Sequence, residues 1–334
     1  MAGLAATLPT LVDVAKVTDP DGKIAAVAEM LAQSNPVLLD MPWQEGNLAT
    51  GHRVSVRTGL PTATWRLLNR GVANSKATAA QIDEGCGMLE ARSQVDKDLC
   101  ELNGNSGAFR LSESHAFLEA MNIEMAQTLF YGNVGADPEE FTGLAPRFNS
   151  LSAANATNVV NGAGAGGDNS SIWLTVWGPH SLFGIYPKGS TAGLKHDDLG
   201  LGDAFDSSNN RFRAYMDHYQ WKCGIALKDW RYTVRIANID ISALIAKSSA
   251  ADLIELMIKA IHRIPNGYAG FAMGKPVFYM NRTCFQMLDI QRYDNVMAGG
   301  GINYKDVDGI LTPNFRGIPI RVCDALTEAE AAVV

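Results

Sequence analysis

Between Leu111 and Asn133 (LSESHAFLEAMNIEMAQTLFYGN) apolar residues recur every three or four positions. Phe117, Leu118, Met121, Met125 and Leu129 form one broad helical face, and Ile123 and Phe130 fall on roughly the opposite side. Ser112 is the expected N-cap, with Glu113 in the first turn facing the positive end of the helix dipole. Gly132 is the expected left-handed stop. A helix apolar on two sides has to be covered twice, by its own domain and by a second surface. The competing expectation is an ordinary core helix.

Ahead of this helix the pattern is sparse. Residues 1–44 read as an arm with a short helix at Ile24–Gln33, after which Pro36 and Pro42 dictate extended backbone. Val37, Leu38, Leu39, Met41 and Trp43 need a partner surface, and another subunit is one candidate. Residues 45–98 alternate instead. In HRVSVRT (52–58), Val54 and Val56 oppose Arg53, Ser55 and Arg57, the period of a strand with one wet face. TWRLLN resumes the strand after Gly59 and Pro61, GVANSKATAAQ (71–81) forms a polar tip, and Ile82, Cys86 and Met88 lie on the returning arm. This is a long hairpin with little core of its own, and it must lie on something. Gln94–Leu102 reads as helix or turn, and NGNS (103–106) breaks the chain.

Beyond the helix, SLSAANATNVVNGAGAGGDNSS reads as a surface loop. SIWLTVWG (171–178), LFGIYP (182–187) and the run Phe212–Ile241, turning at Lys228-Asp229, read as strands. The glycine-rich, acidic stretch 194–210 separates them. Ser249–Arg263 is a second helix with Ser249 and Asp252 as capping pair, followed by a buried strand (276–280) and a helix at Arg282–Gln291. After the loop at Gly299–Gly301, FRGIPIRV (315–322) is a last strand, which Pro319 assigns to an edge or a bulge. A small α/β domain thus interrupts a β-rich one.

Composition narrows the function. At 334 residues, one long or two joined domains are expected. Charged residues are only 19 % against 47 % hydrophobic, which suits much buried or shared surface, and the net charge of −7 opposes binding nucleic acid through a basic face. Cys86, Cys100, Cys223, Cys284 and Cys323 are scattered, so buried reduced thiols and a reducing compartment are expected. The N-terminal stretch has neither the basic nor the apolar region of a signal peptide, and no segment is apolar for long enough to span a bilayer.

Candidate chemistry is thin. Gly162, Gly164 and Gly167 match G-x-G-x-x-G, but a β-rich run follows where a dinucleotide site needs a helix. His196-Asp197-Asp198, with His180 upstream, lacks zinc-ligand spacing. No cysteine or serine sits in a nucleophile motif. No catalytic, cofactor or metal site is expected.

The order of parts (apolar arm, coreless hairpin, two-sided helix, inserted α/β domain) and the local sequence point elsewhere. EGNLATGHRVSVRTGLPTATWRLLNRGV (45–72), QIDEGCGMLE (81–90), SQVDKDLCELNGNSGAFRLSESHAFLEAMNIEMAQTLFYGN (93–133) and FTGLAPRF (141–148) resemble the major capsid proteins of epsilon15-like tailed bacteriophages, of the HK97-fold family. These segments fall nearly continuously between residues 45 and 148, about a third of the chain; after residue 150 the resemblance lies mainly in the order of elements.

The resemblance implies an α+β, HK97-like fold. Residues 1–44 would be the N-terminal arm and 45–98 the extended loop lying across a neighbour. Residues 99–240 would be the peripheral domain with spine helix 112–131, 241–311 the axial domain, and 312–334 the return strand and tail. It implies a virion protein, assembled in the bacterial cytoplasm as hexamers and pentamers, enclosing double-stranded DNA without sequence-specific binding. Portal, scaffolding and decoration proteins would be partners, with no membrane. Candidate inter-subunit residues are Arg53, Arg57, Trp65, Glu90, Asp96, Asp98, Ile123 and Phe130. Lys76 near the tip invites comparison with the lysine–asparagine bond that welds some shells of this family; the rest of that motif is not recognisable, so no crosslink is expected. The rival expectations are an encapsulin-like nanocompartment shell and a soluble α/β enzyme.

Overall fold

The computed structural model describes residues 8–9, 13, 33–102, 106–206, 208–248, 251–294, 302–307 and 310–334. The helix expected from Ile24 lies outside these residues apart from Gln33, as do Ser249 and the Gly299–Gly301 loop. The chain opens with α1 (Val37–Asp40), β1 (Trp43–Glu45), β2 (Gly51–Gly59), β3 (Thr78–Gly85), β4 (Gly87–Asp96) and α2 (Lys97–Cys100). The long helix α3 (Ser106–Tyr131) is followed by β5 (Val159–Asn161), β6 (Asn169–Trp177), β7 (Leu182–Tyr186), β8 (Leu194–Phe205), β9 (Arg211–Leu227) and β10 (Thr233–Asp240). Then come α4 (Ile241–Ala246), α5 (Leu253–Arg263), β11 (Lys275–Met280), α6 (Arg282–Asp294), β12 (Ile302–Val307), β13 (Ile310–Phe315) and β14 (Ile318–Val322).

The chain packs as two compact units. Met88–Ala126 and Gly193–Lys222, with the described residues before 35, form one; Asn35–Gly87, Gln127–Ala192 and Cys223–Val334 form the other. This partition differs from a division at residues 99–240 and 241–311. The reason is strand pairing: β11, from the stretch read as a separate domain, is hydrogen-bonded to β6 from Lys275↔Trp177 to Tyr279↔Trp173.

In the first unit β8 runs antiparallel to β9, from Leu194↔Trp221 to Phe205↔Arg211, and β4 lies along β9. The stretch read as an acidic linker is therefore a strand and its turn. Asp206 closes the turn by accepting from the backbone N–H of Ser208 (2.9 Å) and Asn210 (2.8 Å), and a bulge between Asp198 and Gly200 takes up the left-handed φ of Gly200. Almost every β8 side chain is at least partly exposed, so no apolar alternation was required to announce it. Val95, Cys100 and Phe109 form a small core with Leu99 and Tyr215.

Helix α3 starts at Ser106, so Ser112 is internal and not the cap; Ser114 is the residue that bonds back, to the Arg110 carbonyl at 2.9 Å. Met121, Met125 and Leu129 are buried as their spacing requires, whereas Leu118 is exposed. Gly132 ends the helix without a left-handed turn. It is required for another reason: a Cβ there would lie 2.5 Å from the Phe141 carbonyl oxygen and 2.6 Å from that of Thr128.

The second unit is built on β6, buried at every position. β10 and β11 flank it, both antiparallel; β5 extends β10 in parallel, and β14, β13 and β12 extend β11. β7 carries β1 in parallel and the end of β9, from Leu182↔Leu227 to Ile185↔Gly224. Alternate β6 residues define two cores. Ile172, Leu174 and Val176 meet Leu253, Met257 and Ile261 of α5 and Cys284 and Leu288 of α6. Helix α5 is capped by Asp252, whose carboxylate accepts from Glu255 N–H at 3.0 Å. On the other face Trp173 and Trp177 meet an aromatic cluster, with Phe130 centred 6.2 Å from Trp173 and 6.3 Å from Tyr279.

Phe130 is thus 0 % exposed within its own chain, and its assignment to a face covered by a neighbour is overturned. Ile123 stays half-buried. Three smaller expectations also change. Pro36 starts a helical turn instead of extended chain, burying Val37 while leaving Leu39 exposed. TWRLLN is loop, not strand. FRGIPIRV is the end of β13 and all of β14, joined by the left-handed pair Arg316-Gly317. β14 lies between β13 and β11, and its pairing with β11 begins at Ile320, one residue past Pro319.

Phe130→Ala is expected to cost the isolated subunit about 3–5 kcal/mol, the range for emptying a buried aromatic site. Urea unfolding of the subunit measures it; an unchanged midpoint would contradict the packing described.

Candidate functional site

Among the described residues, the hairpin carries four of the most exposed large apolar side chains, Leu60, Trp65, Leu67 and Leu68. Its arms pair antiparallel from Gly51↔Gly85 to Gly59↔Thr78, with an irregularity after Arg57. Its base is held by the second unit. Val54 packs with Phe183, Ile185 and Ala226, and the His52 ring meets Phe183 edge-on at 5.6 Å. Burial, with the Lys228 charge adding to it, holds His52 below the usual imidazole range. Gly51 lies so close to the Glu84 carbonyl that any side chain there would collide with the opposite strand.

Glu84 is the anchor. Its nearly buried carboxylate takes two bonds from Arg147 (2.6 and 2.7 Å), while the same guanidinium donates to the carbonyls of Gly143 (3.0 Å) and Thr142 (2.9 Å). A bidentate, charge-assisted pair of this kind fixes orientation as well as position. Sequence reasoning missed it, because 63 positions separate the two residues and neither stands in a motif.

Residues 60–77 at the tip are exposed throughout. Leu60, Trp65, Leu67 and Leu68 stand in solvent beside Arg66, Arg70 and Lys76, with no carboxylate in the stretch. An apolar and basic tip of this sort marks a binding surface.

The other candidates are mostly occupied by their own chain. Arg53 makes a bidentate pair with Asp83 directly opposite it, at 2.6 and 2.7 Å. Glu90 accepts from Gln220 and lies 3.2 Å from His218 on β9; the first contact, then the second, holds its carboxyl below the usual range. Asp96 caps α2 through the Asp98 N–H at 2.9 Å. Among the described residues Arg57 has no ion pair, and it remains exposed along with Trp65 and Asp98. The eight candidates do not converge on one site.

Ionisable groups elsewhere serve folding. In the first unit Arg110 joins Asp217 (2.8 Å) and Asp198 (2.9 Å), His196 Nε2 lies 3.0 Å from Asp217, and the His196 ring stacks on Tyr219 at 4.7 Å. In the second, buried Glu330 accepts from Arg235 (2.8 Å), Tyr131 (2.6 Å) and Ser171, tying the C-terminal segment to β6 and β10. Burial pushes the Cys86 thiol up to about 11, and Cys284 and Cys323 up to about 12, which keeps them protonated and unreactive near neutral pH. Among the described residues no three His, Cys, Asp or Glu converge as metal ligands, and no helix is long and apolar enough to cross a membrane. Gly162 and Gly164 donate to the carbonyls of Ala237 and Asn238 (2.8 Å each), and strand β6, not a helix, follows this loop.

Charges spent on folding and a clamped hairpin with a bare apolar tip define a structural subunit that works through contacts with other chains. A family model for major capsid protein GP7 matches residues 19–334, and the chain belongs to that family of structural capsid proteins. The solved structure of bacteriophage Epsilon15 is similar along the whole length: 34 % identity, 100 % of this chain and 99 % of that chain covered, TM-score 0.78. The fold is the HK97-like capsid fold. Weaker similarity extends to the SrpI encapsulin of Synechococcus elongatus PCC 7942 (11 % identity, 72 % and 93 % covered, TM-score 0.43) and to Microbacterium phage Oxtober96 (8 %, 68 % and 98 %, TM-score 0.44). No curated protein matched.

Removing the anchor by Glu84→Ala leaves the part-buried Arg147 without its counter-charge. The expected cost is about 3–5 kcal/mol of subunit stability. Urea unfolding, with limited proteolysis in residues 60–77 as a local readout, measures it; wild-type behaviour in both would show that the pair does not hold the hairpin.

Proposed function

We propose that this chain builds an icosahedral phage head from hexamers and pentamers of itself, enclosing double-stranded DNA, and that it acts by assembly and not by catalysis. The observation that carries this reading is the similarity to the Epsilon15 structure, 34 % identity with essentially all of both chains covered. In this reading residues 45–98 are the extended loop, its tip lying on a neighbouring subunit. Residues 99–240 serve as the peripheral domain, 241–311 as the axial domain, and 312–334 as the return strand and tail. Arg57, Trp65, Asp98 and Ile123 stay candidates for inter-subunit contact. Portal, scaffolding and decoration proteins are the further partners, the virion is the destination, and the host cytoplasm is the place of assembly. A net charge of −7 suits enclosure of DNA better than adhesion to it.

The test is electron microscopy of particles purified from expressing cells, with a nuclease-protection assay on their contents. Closed icosahedral shells and protected double-stranded DNA from infected cells are expected; shells filled with a protein cargo would favour a nanocompartment. Trp65→Ala is expected to leave the subunit's urea midpoint within about 0.5 kcal/mol of wild type, as for an exposed site. The same change should lower the thermal disruption temperature of the shells, and unchanged shells would remove Trp65 from the contact.

A further inference from the structure

The outer side of the hairpin's first arm borders a groove of about 570 Å³, lined by Ser55–Leu60 on one side and by His180 and Lys228–Arg231 on the other. Three cations face it against one carboxylate. Arg231 is neutralised by Asp229, which it grips at 2.9 and 2.7 Å. Arg57 has no ion pair among the described residues, and Lys228 Nζ has only His180 Nδ1, at 3.4 Å. The wall on the hairpin side is strand β2, bonded to β3 along its other edge, so its groove-facing backbone groups are free to pair with an added segment. A cationic groove on a chain of net charge −7 calls for an acidic occupant.

The same unit carries one. Asp137-Pro138-Glu139-Glu140 follows α3 as an exposed turn, and it is shaped in advance. Asn133 O accepts from Ala136 and Asp137 N–H at 2.9 Å each, Asp137 O from Glu140 N–H at 3.1 Å, and Glu140 itself accepts from Asn133 N–H at 3.2 Å. Asp137 and Glu139 have no cationic partner among the described residues. The nearest basic residue in sequence, Arg147, is committed to Glu84.

We propose that the acidic turn 137–140 of one copy docks in the Arg57–Lys228 groove of the next. Groove and turn are different patches of one chain, so the contact is head-to-tail, the kind that closes into rings. A turn already fixed by its own hydrogen bonds loses little freedom on docking. The inference rests on the shell reading and adds to it the pair of surfaces that meet.

The test is charge reversal with rescue. Asp137→Lys with Glu139→Lys, and separately Arg57→Glu with Lys228→Glu, are each expected to leave the free subunit folded by circular dichroism. Each is expected to cut the yield of shells about tenfold or more, since like charges then oppose each other at every copy of the contact. Combining all four changes in one chain restores opposite charges and is expected to recover assembly. Normal shells from either reversed pair, or no recovery in the combined variant, would overturn the proposal. Normal yields with less nuclease-protected DNA would overturn it in favour of a nucleic-acid contact. A wild-type chain that forms no shells would remove the capsid reading, and this contact with it.

Discussion

A two-stranded ribbon has no interior, and everything distinctive about this chain follows from carrying one. Strands β2 and β3 hold each other through backbone ladders and one exposed ion pair. Their apolar side chains find cover only at the base, where Val54 meets Phe183 and Ile185. The tip residues Leu60, Trp65, Leu67 and Leu68 remain in water. Burying each such side chain is worth roughly 1.5–3 kcal/mol, a driving force that the lone subunit does not use and a neighbour can. The Glu84–Arg147 clamp makes the arrangement workable. It commits the base of the ribbon to one direction, so the tip is presented at a defined place.

The rest of the molecule supplies rigidity. Strand β6 is buried on both faces, and the aromatic cluster around Trp173 takes in Phe130 from the end of the long helix. The buried Glu330 carboxylate fastens the C-terminal segment to the same sheet with three donors. Burying a charge so fully is tolerable only because every bond it needs is present. A shell subunit has to resist deformation while its neighbours pull on it, and a core sealed on both faces of the sheet suits that demand.

Helices α3 and α5 were readable because their apolar residues recur at helical spacing. Strands β6, β7, β9 and β10 were readable from their density of aromatic and β-branched residues, which in β6, β7 and β10 goes with burial on both faces. Strand β8 was not, because a ribbon wet on both faces carries no alternation; its glycines and acids read as linker. Phe130 was assigned to an outward face because helical phase tells which residues share a side, not what covers that side. The order of elements likewise cannot say that β11 will pair with β6. Among the contact candidates, Arg57 and Trp65 stayed free, whereas Arg53, Glu90 and Asp96 found partners nearby in the fold. Exposure depends on three-dimensional neighbours such as Asp83 and Gln220, and no spacing rule gives those.

The central claim is that residues 60–77 are ordered by neighbouring copies and not by their own chain. Amide hydrogen exchange, compared between free subunits and closed shells, tests it most directly. Exchange at the tip is predicted to be rapid in the subunit and strongly slowed in the shell, while β6 is protected in both. Equal protection of residues 60–77 in the two states would contradict the account.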